Sequence, residues 1–217
     1  MFTGIIRNTG KIVSVINYGK GKRFSIKSDT GFILRLEEGI TSVAVNGSCL
    51  TVEKKDRDSF AVYSSFETLS RTTLDSIKNG EIVNLELPVT PSSLLDGHIV
   101  QGHVDSVGRI ELIEKRDEAF LYRFGAPEDI ISLLVEKDSI AVDGISLTAF
   151  NITDKTFDAA VIPETVKNTS LSSKKVGDGV NLEANIFAKY AMKFYGSQSG
   201  ISDNDRKNKK IKDWLLS

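Results

Sequence analysis

Cys49 is the only thiol in the chain, and it stands in the run Ser48-Cys49-Leu50-Thr51; 97 residues later the run returns as Ile145-Ser146-Leu147-Thr148. Side chains alternate across a strand, so Cys49 and Thr51 would share one face, and Ser146 and Thr148 its counterpart. A polar pair on the same face of two related strands suits a ligand pocket better than a core. A thiol attacks through its thiolate, a fraction that a nearby base or cation increases. The plainer alternative for a lone cysteine is a small buried apolar side chain. His98 and His103 are the only histidines. Five residues apart on a strand they would face opposite sides, and His103, after Gly102, is the better placed to move a proton at a pocket, while His98 reads as a structural histidine. Lys137 and Asp143 also break the repeat, although taken alone each would pass as a surface charge. No cluster of further Cys or His accompanies these groups, so no metal is expected. Phosphate-cradling loops, dinucleotide fingerprints and serine elbows are absent as well, which points to a self-contained reaction without a cofactor.

The elements that must position these groups are written twice. Ala44–Val52 returns as Ala141–Ala149, Glu67–Leu74 as Glu164–Leu171, and Gly80–Glu86 as Gly177–Glu183, with 14 of 24 positions identical at one spacing. Two similar halves should offer two similar pockets, hence two copies of one ligand. Near the first strand of each half one extra residue enters, aligning Gly4 with Gly102. If the two ligand molecules play different parts, the difference must lie where the repeat breaks: Cys49 against Ser146, Asn46 against Asp143, Ile40 against Lys137, Phe66 against Pro163.

Short apolar runs at 4–15, 41–52, 60–65 and 82–87, and their counterparts at 102–112, 139–150, 157–162 and 180–184, are separated by Gly, Asp, Asn and Lys clusters. They read as strands, and favour a pair of small antiparallel barrels. The Pro- and Ser-bearing stretch 88–96 reads as the linker, giving domains 1–97 and 98–185. In the remaining segment, 186–217, Ile186, Phe187, Tyr190, Ala191 and Phe194 recur at helical spacing. This amphipathic helix has no partner in the first half, so its apolar face is a candidate oligomer contact. The tail beyond it reads as a solvated extension, with Trp214 the one residue that could dock.

With 217 residues, 28 basic and 29 acidic side chains, the net charge is −1. No general attraction for nucleic acid or an anionic membrane surface follows, and a near-neutral ligand is expected. The single cysteine forms no internal disulfide, and neither a span nor a signal pattern is evident, so the expected compartment is a reducing cytoplasm.

Met1-Phe2-Thr3-Gly4-Ile5-Ile6, AVNGSCLTV at 44–52, GHIVQGHVD at 97–105, SIAVDGISLT at 139–148, Ile162-Pro163-Glu164-Thr165 and the two Val-Asn-Leu-Glu segments together resemble riboflavin synthase of the alpha-chain type. The resemblance runs from residue 1 to about 195. It implies an all-β fold of two tandem six-stranded antiparallel Greek-key barrels plus a C-terminal α-helix, and a homotrimer held through that helix, with lumazine synthase as a candidate partner. The implied substrate is 6,7-dimethyl-8-ribityllumazine, two molecules of which exchange a four-carbon unit to give riboflavin and 5-amino-6-ribitylaminouracil. A lumazine or flavin carrier of the same fold is the alternative. The residues the resemblance places at the lumazine are Gly4, Ile5, Ile6, Ser48, Cys49, Leu50, Thr51, Val62, Tyr63, Ser64, Ser65, Phe66 and Glu67 from the first half. From the second half they are Gly102, His103, Val104, Lys137, Asp143, Ser146, Leu147, Thr148, Ile162, Pro163, Glu164, Thr165, Val166 and Lys167. Cys49 would serve the acceptor ring, His103, Ser146 and Thr148 would handle protons, and Asp143 and Lys137 would lend polar support. Asn185 stands where the family usually carries Asp.

Overall fold

Alternation of apolar and polar residues builds two sheets of six antiparallel strands, seen in a computed structural model that describes residues 1–199. In the first half the strands are β1 (Asn8–Tyr18), β2 (Gly21–Lys27), β3 (Ser42–Val45), β4 (Ser48–Lys55), β5 (Ser59–Ser64) and β6 (Ile82–Glu86). They close into a barrel in the order β1-β2-β5-β4-β3-β6. Strands β3, β4 and β5 pair in succession and β6 returns beside β3, which is a Greek key. Inside lie Ile12, Phe24, Ile26, Val43, Val52, Phe60, Val62, Val83 and Leu85. Helix α1 (Thr30–Leu34), capped by the Asp29 carboxylate, closes this core with Phe32 and Ile33. Helix α2 (Phe66–Arg71) follows β5.

The second half repeats the order with β7 (Ser106–Arg116), β8 (Ala119–Gly125), β9 (Ser139–Val142), β10 (Ile145–Thr148), β11 (Thr156–Val161) and β12 (Gly179–Ala184), with helices α3 (Glu128–Ile131) and α4 (Pro163–Asn168). Its sheet runs β10-β9-β12-β7-β8-β11 and is not a closed strand ladder. The reason is local: β10 is half the length of β4, and the join to β11 is a single bridge between Phe150 and Asp158. Asn151 follows in a left-handed conformation at φ 49° and gives an amide hydrogen to Asp158, turning the chain out of the sheet.

Two of the expected strands are hairpins. The runs 41–52 and 139–150 each contain a two-residue turn, Asn46-Gly47 and Asp143-Gly144, with both residues at positive φ. The run 4–15 also divides: β1 begins at Asn8, and residues 1–7 leave their own barrel to lie against the other. No strand occupies 87–105, where the boundary between 97 and 98 was expected.

The halves are joined face to face about a pseudo-twofold axis, along which residues meet their own repeat mates. Phe2 pairs with Val100, each giving its N–H to the other's carbonyl at 2.7 and 3.1 Å. Gly47 packs on Gly144 so closely that a Cβ on either would lie 2.7 or 2.8 Å from the other's backbone nitrogen. Asn84 donates its side-chain amide to the Asp143 carbonyl, and Asn181 donates its own to the Asn46 carbonyl. The amide oxygens accept in return, Asn84 from Ser170 N–H and Asn181 from Thr73 N–H. Phe2, Val100, Ala44 and Ala141 form the apolar centre of this seam, with Cys49 packed against it.

Gly47→Ala should therefore cost about 2–4 kcal/mol, from the left-handed backbone and the lost approach together. Gly39→Ala, at φ 71° with open space around it, should cost only about 1–2 kcal/mol. Thermal unfolding of both variants checks the difference, which should appear as several degrees in Tm.

Candidate functional site

Strand alternation sets the two candidate faces. In β4, Leu50 and Val52 point into the core while Cys49 is half-buried and Thr51 exposed; in β10, Leu147 is in the core, Ser146 half-buried and Thr148 exposed. Each face is completed by the first segment of the opposite half. The Ser146 N–H donates to the Gly4 carbonyl at 2.8 Å, and the Cys49 N–H donates to the Gly102 carbonyl at 2.8 Å. Both glycines have positive φ, 76° and 83°, and a Cβ on either would sit 2.7 Å from the Cβ of the residue it faces. Glycine is thus required twice, by conformation and by space.

Around Ser146 this assembly leaves a cleft of about 170 Å³, lined by Gly4, Ile5, Ile6, Ile145, Ser146, Ile162, Glu164, Thr165, Asn168 and Thr169. One wall is α4, whose Pro163 sits in its first turn. The matching elements of the first half are Gly102 beside Cys49 and α2, which the Ser65 hydroxyl caps by accepting from Thr68 N–H. Phe66 stands exposed at the start of α2, and Glu67 is held by Arg71 one turn on. Tyr63 is half-buried, next to the inward-facing Ser64.

The histidine that reaches Ser146 is His98. Its Nδ1 lies 2.7 Å from the Ser146 hydroxyl. Burial pushes this imidazole below its ordinary value and Asp138 opposes the shift, so the neutral ring prevails at neutral pH, fit to accept the serine proton. His103 is exposed, one residue past the glycine that faces Cys49. His98 was read as structural because on one strand it would face away from His103. In fact the 98–103 segment is not a regular strand, and Gly97 lets it press against Ser146 and the Thr3 carbonyl. A sequence signal did exist: counted at the spacing that aligns Gly4 with Gly102, His98 has no counterpart within the first half.

Several expected pocket residues lie elsewhere. Asp143 is fully buried in the seam, accepting from Asn181 N–H at 2.8 Å, with Lys174 Nζ 3.1 Å from its other oxygen. Burial pushes its carboxyl up, and Lys174 opposes that. Its position at the hairpin turn, two residues before the outward-facing strand, dictates this structural place. Leu50, Val62 and Leu147 belong to the barrel cores, and Ser64 is fully buried with no partner for its hydroxyl. Val166 packs against the second core, and Lys167 lies exposed on α4. Lys137 is exposed, at φ 69°, with its N–H on the Ala149 carbonyl. Its counterpart by backbone is Gly39, at φ 71° with its N–H on the Val52 carbonyl, rather than Ile40. Val104 is half-buried between the exposed His103 and the half-buried Asp105.

Helix α5 (Ile186–Ser199) follows β12 directly. Asn185 caps it, its side-chain oxygen accepting from Phe187 N–H while its amide donates to Asp138. No negative charge is needed for that role. Phe187, Tyr190 and Met192 are about half exposed or more. The helix is too short to cross a membrane, and no helix among the described residues is long and apolar enough to do so. The tail with Trp214 lies outside the described residues.

Of the two imidazole signals in an NMR pH titration, the one removed by His98→Gln should titrate below about 6.5. Because folding disfavours its charged form, His98 contributes stability that is present above that value and is lost as the pH falls through the folded one.

Two copies of the model described as the lumazine binding domain match residues 3–88 and 101–185. Among curated proteins, the chain is 39% identical over 194 residues to riboflavin synthase of Actinobacillus pleuropneumoniae, covering 89% of each. It is 38% identical over 194 residues to riboflavin synthase of Bacillus subtilis (strain 168), again covering 89% of each. It is 39% identical over 197 residues to that of Schizosaccharomyces pombe, covering 89% of this chain and 93% of the relative. Among solved structures, LumP complexed with riboflavin superimposes with a TM-score of 0.79 at 25% identity, covering 85% of this chain and 99% of that one. With both halves matched and the enzyme relatives similar along nearly nine-tenths of its length, the chain belongs to the riboflavin synthase family of enzymes, transferases built from two lumazine-binding domains.

Proposed function

We propose that this protein converts two molecules of 6,7-dimethyl-8-ribityllumazine into riboflavin and 5-amino-6-ribitylaminouracil. The observation that carries the reading is the pair of matched but chemically unequal faces, one bearing Cys49 and the other the Ser146–His98 pair. The exchange needs one lumazine to lose a proton from its C7 methyl group and the other to be attacked at C7. Like ligands demand like walls, which the repeat provides; unlike roles demand unlike reacting groups, which the broken positions provide. In this reading the neutral His98 ring draws the proton from Ser146 and makes the second face the basic one. Cys49, or a water it positions, serves the ring that accepts the nucleophile. Thr51 and Thr148 are open to solvent on the same faces and can bind polar atoms of the ligands. Holding two rings together converts a bimolecular step into an oriented one, worth several kcal/mol.

The two faces of one chain lie on different barrels, so a donor and an acceptor meet only if barrels are brought together. We place that meeting between chains, in a homotrimer whose contact is the exposed apolar face of α5 carrying Phe187, Tyr190 and Phe194. The cytoplasm is the proposed compartment. A carrier that binds lumazine without turnover is the second reading, favoured by the likeness to LumP at a TM-score of 0.79. The pairing of Ser146 with a half-buried histidine favours the enzyme.

Incubating the purified protein with the lumazine alone decides between them: riboflavin should accumulate at half the rate at which lumazine disappears, whereas a carrier gives a stoichiometric fluorescence change and no product. Titration calorimetry should count two lumazine-type ligands per chain at saturation. Cys49→Ser should lower kcat about tenfold or more while leaving Kd within about threefold, and His98→Gln should lower kcat by about a hundredfold.

A further inference from the structure

Each segment that crosses to the opposite barrel is held from behind by a buried glutamate of its own half. Glu86, on β6, accepts from Thr3 N–H at 2.7 Å and the Thr3 hydroxyl at 2.8 Å through one oxygen, and from Gly4 N–H at 3.1 Å through the other. Glu183, its repeat mate on β12, accepts from Gln101 N–H at 2.6 Å and Gly102 N–H at 3.0 Å. The carbonyls of the two clasped glycines then receive Ser146 N–H and Cys49 N–H. A carboxylate, a glycine peptide and the backbone of a reacting residue thus stand in line twice. A buried carboxylate is an expensive way to satisfy two backbone donors, because burial strips its water. What it adds over a strand ladder is a fixed, two-point grip on a segment with no regular structure of its own.

The two grips differ in what stands beside them. Glu183 faces Lys189 from α5 and Asp105 from the segment entering β7. Lys189 Nζ lies 2.7 and 2.6 Å from the two Asp105 oxygens, and Asp105 also accepts from Ala184 N–H next to Glu183. In the first half α5 has no equivalent, and the spacing that relates Gly4 to Gly102 puts Arg7 where Asp105 would be. Arg7 lies exposed, paired with Asp96.

We propose that Glu86 and Glu183 are positioning residues that set the two crossover glycines against Ser146 and Cys49, and that Glu183 is tied through Asp105 and Lys189 to α5, so that the seating of this helix governs the wall of the Cys49 face and leaves the Ser146 face alone. The proposal rests on the reading of those two faces as the ligand sites. Burial pushes both carboxyls up, Glu183 to about 7, with Lys189 and the two backbone donors pulling it down. Removing the Lys189 charge therefore favours the protonated acid, the weaker acceptor, and loosens Gly102.

Cys49 is the only cysteine, so its alkylation by iodoacetamide reports on that wall without any substrate. Glu183→Gln leaves one acceptor oxygen and turns an NH2 group toward a backbone N–H. At pH 7.5 it should raise the alkylation rate at least fivefold, with Glu86→Gln within twofold of the unaltered protein. Lys189→Met should raise the rate at least threefold, and stands as the deciding variant if Glu183→Gln fails to fold by circular dichroism. Equal rates in Lys189→Met and the unaltered protein, or an equal effect of Glu86→Gln and Glu183→Gln, would overturn the proposal. Lumazine turnover is a separate readout: its absence would sink the enzyme reading and leave the alkylation result standing.

Discussion

The structure depends on the close contact of Gly47 with Gly144 at the pseudo-twofold axis. Two hairpin turns can meet back to back only if neither carries a side chain at its tip, and that approach fixes the distance between the barrels. Once it is fixed, each of Asn84 and Asn181 reaches the other half's turn with its amide and the other half's 3-10 turn with its oxygen. Each asparagine side chain both donates to and accepts from the opposite half, and the two exchanges mirror one another, as at the interface of a symmetric dimer. The crossing of residues 1–7 and 97–104 follows from the same geometry. Cys49 and Ser146 lie two residues beyond the touching glycines, at the rim of the seam, where the opposite half's first segment passes.

Symmetry of that kind would make two equal sites, and the departures from it are grouped. Asn46 and Ile77 in the first half become Asp143 and Lys174 in the second, a neutral pair replaced by an ion pair in one change of environment. Asp143 keeps the backbone bond that Asn46 makes, each accepting from the N–H of the facing asparagine. Its extra charge is answered by Lys174, at the end of the 3-10 turn Ser170–Ser173, as a buried carboxylate requires. This difference is internal to the seam. The difference that reaches Ser146 is His98, which the second half owns because a linker precedes its first segment. Duplication thus supplied matching walls, and the connecting chain supplied the histidine that meets Ser146.

Much of this was legible in the sequence. The repeat announces two domains, its spacing places Cys49 and Ser146 on equivalent strands, and the alternation of Leu50 and Val52 with Cys49 and Thr51 sends the polar pair outward, as observed. Gly4 and Gly102 were paired correctly. The Lys137 position was misaligned by one residue because Ile40 matches in count while Gly39 matches in backbone, and only φ distinguishes them. The gap in the second strand ladder also escaped, since it turns on Asn151 adopting a left-handed conformation that many asparagines do not adopt. Asp143 was assigned to the ligand by the resemblance, and by itself read as a surface charge; neither carries information about which side of a hairpin turn is covered.

The sequence by itself determined the duplicated architecture, the strand faces and the unlike pair Cys49 and Ser146 at one repeat position, because those follow from local periodicity and from comparing one half with the other. The tertiary structure alone decided which histidine meets Ser146, that each face is walled by the opposite half, and that Asp143 is structural. Those are contacts between segments far apart in the chain. They are set by how two barrels dock, and no local pattern in either segment encodes the distance between them.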